Sequence, residues 1–192
     1  MIHTFGDSNA IYPWNSIHLD DASINCHQLV DKTCASFGMD KIDVFNIKNY
    51  GVEEGDIVCF IFGMIDCTSN NIGKNKEIYK EITNRIIENY FATIKINVEQ
   101  YKNLTIIIEC VQPVVKDGSC KQVAGTDIDR RKYTEYFNFK LKKACEEYKY
   151  LFLNTYKKYC GPDRFMNDSL RDVNLHIGNP EFLIAEFINI LK

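Results

Sequence analysis

The sequence predicts an α/β protein in which a parallel sheet is covered by helices on both of its faces. Short, nearly continuous apolar runs alternate along the chain with long amphipathic segments, and strands that are buried on both faces look like this. Neither an internal repeat nor a low-complexity linker divides the 192 residues, a length that suits one domain. We therefore expect a single domain over residues 1–192.

The apolar runs give the predicted strands. The longest run, 57–62, lies inside the clearest strand, and the strand that follows it along the chain ends before a proline. Two candidates, 33–37 and 44–47, carry a weaker pattern. In chain order the predicted strands are 2–5, 33–37, 44–47, 56–65, 104–111 and 150–153.

Three segments carry apolar residues at helical spacing, three and four positions apart. The first, 77–99, places a row of isoleucines and aromatic residues on one face, and the second, 127–148, repeats this arrangement. The third, 180–191, begins with a proline, which fits the first turn of a helix. Parallel sheets of this kind carry their reactive groups just beyond the carboxyl ends of the strands, and we expect the functional residues there.

Composition excludes several classes of function. The net charge of −3 lacks the concentrated positive surface of a general nucleic-acid-binding protein. No stretch reaches the roughly 20 apolar residues of a membrane-spanning helix, and the first residues carry no signal-peptide pattern. The eight cysteines form neither a C-x-x-C pair nor a metal-ligand spacing. We expect reduced thiols, a cytoplasmic location, no metal, and no nucleic-acid or membrane partner.

The first predicted strand is followed by Gly6-Asp7-Ser8-Asn9. Glycine allows a sharp turn, and a serine at the start of the next helix would lie among backbone N–H groups that can stabilise an oxyanion. Such a serine can act as a nucleophile. The alternative is that Asp7 or Ser8 simply caps a helix.

A serine nucleophile needs a base, and histidine is the usual one. Of the four histidines, His3 lies inside a predicted strand, and His18 and His27 fit surface or packing positions. His176 lies in a polar segment before the last helix, four residues after Asp172, whose carboxylate can fix the imidazole tautomer. The alternative is a loop histidine that bonds to the backbone.

These features resemble the SGNH (GDSL-type) hydrolase and acyltransferase superfamily. Gly6-Asp7-Ser8, Ser36-Phe37-Gly38, Gly63-Met64-Ile65-Asp66 and the Asp172–His176 pair match its motifs in order over nearly the whole chain. The resemblance implies a three-layer α/β/α fold with a flavodoxin-like, mainly parallel sheet. It also implies Ser8 as nucleophile, His176 as base, Asp172 as its partner, and an oxyanion hole from the N–H groups of Ser8 and Gly38.

The sequence departs from that family at two places. The family's oxyanion asparagine is replaced by Ile65, which cannot donate a hydrogen bond, and Asn70 is our candidate replacement, with Thr68, Asn71 and Asn9 as further options. The usual Asp-x-x-His spacing has one extra residue between Asp172 and His176. Both departures leave room for a catalytically inactive member.

Substrate-binding residues are assigned by their place near the expected site. Gln112 closes a strand and can bind a hydroxyl, while Trp14 offers a stacking surface for a sugar. Arg130, with its neighbour Arg131, can meet a phosphate or form part of a solvated helix face. The full expected set is Asp7, Asn9, Trp14, Gly63, Asp66, Gln112 and Arg130.

The resemblance, closest to an SGNH-like branch of large DNA viruses and polysaccharide-biosynthesis clusters, implies acyl transfer through an acyl-serine, with acetyl groups on carbohydrates as the expected substrate. Water as acceptor gives an esterase, and a sugar acceptor gives an acetyltransferase. No cofactor is expected, apart from acetyl-CoA as acyl donor in a transferase. The alternatives are a degenerate glycan- or partner-binding protein and a flavodoxin-like nucleotide-binding protein, although the sequence has no Gly-x-Gly-x-x-Gly run or P-loop.

Overall fold

The computed structural model describes residues 1–20, 22–69, 78–116, 125–172 and 176–192. Within them, five parallel strands form one sheet in the order β2-β1-β3-β4-β5. Because all strands are parallel, their carboxyl ends meet at one edge, with Gly6 opposite Ile61. The strands are β1 Ile2–Gly6, β2 Ile24–Gln28, β3 Ile57–Ile61, β4 Thr105–Glu109 and β5 Leu151–Leu153.

Helices connect the strands, and the two longest agree with the sequence prediction. One of them begins at a capping box, in which Thr126 and Asp129 exchange side-chain and backbone hydrogen bonds. The α-helices are α1 Cys34–Phe37, α2 Met64–Ser69, α3 Ile78–Val98, α4 Asp127–Tyr148, α5 Tyr156–Tyr159 and α6 Glu181–Ile190. Short 3₁₀ helices cover Ser8–Ala10, Trp14–Ser16, Ile47–Tyr50 and Asp168–Leu170.

The sheet separates two hydrophobic cores, which makes the fold a three-layer α/β/α arrangement. Phe5 and Phe60 point to one face and pack with Phe91 of α3. Cys59 and Ile107 point to the other face, in the cluster that contains Phe187 of α6. Successive residues of a strand thus serve opposite cores, as expected for a sheet covered on both sides. The predicted α/β/α class is confirmed.

Two predicted strands are wrong, and one strand was missed. Segment 33–37 forms helix α1, because Thr33 caps it through a box with Ser36. Segment 44–47 leads into a 3₁₀ helix that begins at Ile47 and is capped by Asn46. The missed strand β2 is polar and only partly buried, since it lies at the edge of the sheet. The predicted strand 56–65 ends at Ile61, because α2 begins three residues later.

Two expectations from composition concern the whole chain. The seven cysteines in the described part are all free thiols, and Cys120 lies outside it. In the same part of the chain, no helix is both long and apolar enough to span a membrane.

Candidate active site

The carboxyl edge of the sheet brings together a serine, a histidine and an aspartate from the two ends of the chain. Ser8 Oγ lies 2.9 Å from His176 Nε2, although 168 positions separate the two residues in sequence. His176 Nδ1 lies 3.2 Å from Asp172 Oδ2. With Nδ1–H donating to the carboxylate, Nε2 is left to accept the proton of the serine hydroxyl. This geometry would allow Ser8 to act as a nucleophile, His176 as its base and Asp172 as the group that orients the base.

The turn that carries Ser8 depends on tight backbone packing. A Cβ atom on Gly6 would lie 1.8 Å from the carbonyl oxygen of Ile61, so β1 can approach β3 here only with a glycine. Asp7 then caps the 3₁₀ helix that begins at Ser8, accepting bonds from the N–H of Asn9 (2.9 Å) and from its amide nitrogen (2.8 Å). No acceptor in the described residues takes the Ser8 N–H, which stays available to a ligand.

The loop that carries His176 is closed on itself by backbone bonds. The N–H of Asp172 donates to the carbonyl of His176 (2.9 Å), and the N–H of His176 returns a bond to Asp172 Oδ1 (2.8 Å). The N–H of Gly178 donates to the carbonyl of Leu170 (2.8 Å). A Cβ atom on Gly178 would lie 2.7 Å from the backbone of Arg171, so the two sides of the loop are closely packed here. This closure accommodates the extra residue between Asp172 and His176. Residues 173–175 lie outside the described ranges.

An aromatic residue that sequence reasoning missed lies against the base. The Tyr12 ring stacks on the His176 imidazole with centroids 4.9 Å apart and planes inclined by 26°. The Tyr12 N–H donates to the carbonyl of Ser8 (3.0 Å), which places the ring one turn beyond the nucleophile. The one feature of the sequence that could have indicated Tyr12 is its position four residues after Ser8, a spacing that puts two residues on the same side of a helical turn.

A buried polar group lies behind the nucleophile. Glu109, at the end of β4, accepts hydrogen bonds from Trp14 Nε1 (3.0 Å) and from Gln112 Nε2 (2.9 Å). Burial raises the pKa of Glu109 to about 8 and that of Asp7 to about 6, because both carboxyl groups are almost fully removed from water. This network ties the segment after Ser8 to β4, which lies two strands away from β1 in the sheet.

Three residues expected to bind substrate are engaged inside the protein instead. Trp14 is fully buried and cannot stack on a sugar, because its indole packs on Phe187 and bonds to Glu109. Gln112 is 3% exposed and also donates to Thr155. Arg130 is equally buried and donates to Asp127 and to the carbonyl of Gly125, so it is not free to meet a phosphate.

The two other glycine-containing motifs have structural roles. The N–H of Gly38 donates to Cys34 (3.0 Å), and the glycine is packed against the backbone of α3 at Tyr90, which removes it from the expected oxyanion hole. Gly63 has φ +116, and a Cβ there would clash with Val111 and Phe137. The placement of Gly38 corrects the expectation from sequence, whereas the expected role of Gly63 in substrate binding stays a prediction.

The acidic residue of the third motif is structural as well. Asp66 accepts bonds from the N–H groups of Cys34 (2.7 Å) and Ala35 (3.1 Å), and in this way it caps α1 from a distance. It is fully buried, and burial raises the pKa of its carboxyl group. Asp66 therefore does not face a substrate, contrary to the expectation from sequence.

Three of the residues expected to replace the oxyanion asparagine offer no free side-chain donor within the described part of the chain. Asn70 and Asn71 lie outside the described residues, and the Thr68 hydroxyl donates to the carbonyl of Met64 (2.8 Å). The loop after β2 begins beside the nucleophile turn, because Leu29 N–H donates to the carbonyl of Gly6 (2.8 Å). The next two N–H groups, of Val30 and Asp31, have no acceptor among the described residues.

The other histidines do not approach this arrangement. His3 is fully buried in β1, and its Nδ1 lies 3.0 Å from Nε2 of His27 in β2. His18 is exposed. A metal centre is not seen either: where the chain is described, no group of three or more His, Cys, Asp or Glu residues could hold an ion.

No family model matches the sequence, and no curated protein matches it. Solved structures do resemble the fold. A GDSL-like lipase from Bacteroides thetaiotaomicron has a TM-score of 0.69 at 14% identity, over 98% of this chain and 84% of the lipase. A member of the lipolytic protein G-D-S-L family from Veillonella parvula has a TM-score of 0.55 at 13% identity, over 97% of this chain and 93% of the other. The predicted SGNH-type fold is thereby confirmed, as a similarity of fold.

Proposed function

We propose that this chain is a serine esterase or acyltransferase of the SGNH type, acting through an acyl-serine intermediate. The observation that carries the proposal is the chain of short contacts from Ser8 Oγ to His176 Nε2 and from His176 Nδ1 to Asp172. The similarity of fold to GDSL-type lipases supports the same reaction class. Two short contacts with the right atoms facing each other are what nucleophilic catalysis by serine requires.

The reaction proceeds in two steps. Ser8 Oγ attacks the carbonyl carbon of an ester while its proton passes to His176 Nε2, and the same proton then goes to the leaving alcohol. The resulting acyl-serine is attacked by water or by a second alcohol, whose proton passes to His176 Nε2. That proton then goes to Ser8 Oγ as the bond between the acyl group and Oγ breaks, which releases the acid or the new ester and restores Ser8. Asp172 keeps the imidazole oriented and stabilises its charged form.

The oxyanion of each tetrahedral intermediate needs preorganised donors. The N–H of Ser8 is the first, because it donates to no acceptor among the described residues. We assign the second to the backbone of Val30 or Asp31, which take the place expected for Gly38. Two backbone donors can stabilise the oxyanion without a side chain at Ile65.

We place the substrate among acetylated carbohydrates, on the strength of the motif resemblance to SGNH-like proteins of viral and polysaccharide-biosynthesis settings. Hydrolysis needs no cofactor, and transfer would use acetyl-CoA or another acyl donor. A cytoplasmic location agrees with the free thiols, such as those of Cys34 and Cys59. Nucleic acid and membrane are not among the proposed partners.

The test is hydrolysis of p-nitrophenyl acetate and of acetylated sugars by the wild type, Ser8→Ala and His176→Ala. We expect both variants to lose about 10⁴-fold or more in kcat, since removing either member disables the pair. A fluorophosphonate probe should label Ser8 in the wild type and leave Ser8→Ala unlabelled. Ser23→Ala, at an exposed serine, controls for a general effect of substitution. Equal activity in Ser8→Ala and the wild type would refute the enzyme.

One observation favours a second candidate, a glycan- or partner-binding protein without turnover. The N–H of Gly38 donates to the carbonyl of Cys34 in α1, and the side chain of Ile65 has no hydrogen-bond donor. The oxyanion hole therefore lacks two donors that the family's motifs would supply. This candidate predicts no probe labelling and no ester hydrolysis, together with saturable binding of a glycan that is unaffected by Ser8→Ala.

A further inference from the structure

The aromatic ring of Tyr12, close to Ser8, is exposed to solvent, whereas residues near it in sequence are buried. Tyr12 is 45% exposed, whereas Ala10 and Trp14, on either side of it in sequence, are fully buried. An aromatic ring that is partly open to solvent beside a reactive centre offers a ligand an apolar face and a polar tip. Part of the Tyr12 ring covers His176, and the rest is open to solvent.

The geometry of proton transfer determines which half of a substrate would meet this ring. His176 Nε2 must reach the oxygen of the leaving alcohol to return the proton, so that oxygen has to lie within hydrogen-bond distance of the imidazole. The carbon atoms of the alcohol then begin next to the imidazole, where the stacked Tyr12 ring is the adjoining surface. The acyl group, by contrast, is held at Ser8 and the oxyanion donors.

The chemistry of Tyr12 narrows the class of alcohol. An aromatic face packs well on the C–H face of a saturated ring, and the hydroxyl at its tip can exchange hydrogen bonds. The Tyr12 hydroxyl has no partner among the described residues, so it is available to a ligand. A sugar ring offers both an apolar face and hydroxyl groups.

Resting on the proposed function, we infer that Tyr12 is the specificity-determining platform for the alcohol half of the substrate, and that this half is a sugar ring packed on the Tyr12 face. The same role was expected of Trp14, which the structure places in the core. Tyr12 also limits the tilt of the imidazole through the stack, so its two contributions have to be separated by experiment.

The experiment compares two acetate esters that differ only in the alcohol: an acetylated methyl glucoside and ethyl acetate. Both give the same acetyl-serine, so a difference between them reports the alcohol half alone. For Tyr12→Leu we expect the ratio of kcat/KM for the glucoside to that for ethyl acetate to fall about 10-fold, mainly through KM for the glucoside. Tyr12→Phe keeps the ring face and should lower the ratio by less than about 3-fold.

Phe139→Leu is the matched control, because Phe139 is 51% exposed on α4 and belongs to no part of this site. An equal loss on both esters in Tyr12→Leu would overturn the inference and leave Tyr12 as a support for His176 only. Unchanged kcat/KM values for both esters in Tyr12→Leu would overturn it as well.

Failure of the proposed function is recognised separately. If the wild type hydrolyses neither ester, binding of the unacetylated methyl glucoside is measured by NMR in the wild type and in Tyr12→Leu. Weaker binding in Tyr12→Leu, by about 10-fold, would support the platform in a non-enzymatic protein. Equal binding, or none in the wild type, would overturn it.

Discussion

The two sides of the candidate site are built in different ways. On the nucleophile side, Gly6, Asp7 and Asn9 are buried, and Gly6 packs on β3 while the Asp7 N–H donates to the carbonyl of Ile61 in that strand. On the base side, the side chains of His176 and Asp172 are 13% and 29% exposed. They are held by a short loop that bonds mainly to itself.

The difference shows how the requirements of the reaction are divided. A nucleophile that attacks within a fixed oxyanion hole needs its backbone held rigidly, since the donors are backbone groups as well. A base has to pick up a proton from one oxygen and deliver it to another, so it needs only a limited range of orientations. Substitutions in the backbone framework of the nucleophile side should therefore affect mainly the stability of the fold, and those on the base side should affect mainly catalysis.

The largest effect is expected from Gly6→Ala. The added Cβ would lie 1.8 Å from the Ile61 carbonyl oxygen, where the ends of β1 and β3 pair, and no rearrangement of a side chain can relieve that contact with the backbone. We expect the free energy of unfolding to fall by at least about 4 kcal/mol, measured by urea denaturation.

Gly178→Ala is the counterpart on the base side, where the added Cβ would lie 2.7 Å from the backbone of Arg171. The loop can shift, so we expect a loss of about 1–2 kcal/mol in stability and a much larger proportional loss of activity. Gly161→Ala, with 3.3 Å to the nearest side-chain atom, controls for glycine replacement in general. Similar stability losses for Gly6→Ala and Gly178→Ala would remove the distinction between the two sides.

The next effect concerns pH and the buried Glu109. Its pKa is raised to about 8 from 4.5 by burial, so the folded protein holds this proton more tightly than the unfolded chain does. Stability from this group is therefore complete below about pH 4.5 and is lost as the pH rises towards 8, at up to about 1.4 kcal/mol per pH unit.

The Glu109→Gln variant has no such titration. It is expected to be less stable than the wild type at low pH. Trp14 and Gln112 donate to different carboxyl oxygens of Glu109, and the amide would turn an NH2 group, which cannot accept, toward one of these two donors. The gap between the two unfolding free energies should shrink by several kcal/mol from pH 4.5 to 8. Glu88→Gln, at an exposed position, shows the effect of removing a surface carboxylate. Parallel curves for wild type and Glu109→Gln would mean that Glu109 is already ionised throughout this range.

The same contrast explains what could be read from the sequence. The buried strands and long helices were predictable, because a short continuous apolar run marks β3 and apolar residues at helical spacing mark α4. Edge strand β2 was not, since its residues are exposed or only partly buried and most of them are polar. Ser8 and His176 were found through motifs whose chemistry needs those residue types.

The errors within the site have one physical cause. Trp14, Gln112 and Arg130 lie near the carboxyl edge in sequence, but each has a polar partner in the interior that satisfies it there. The position of a residue along the chain does not reveal whether its side chain finds hydrogen-bond partners in the interior or stays open to a substrate. Tyr12 illustrates the reverse, because only the folded chain shows that its ring lies on His176.

The smallest effect is expected for Asp172→Ala. The Asp172 carboxylate is partly exposed, and water can replace some of its interaction with the imidazole, while the stack of Tyr12 on His176 continues to orient the ring. We expect kcat for p-nitrophenyl acetate to fall about 10²-fold, far less than for His176→Ala, with little change in KM. Asp168→Ala is the control, because Asp168 lies in the same loop and its exposed carboxylate pairs with Arg171 rather than with His176. A loss as large as that of His176→Ala would show that the base side depends on Asp172 as strictly as the nucleophile side depends on Gly6. If kcat did not fall, Ser8 and His176 would act as a pair, and the added residue between Asp172 and His176 would then reflect a carboxylate kept to close the loop rather than to assist the base.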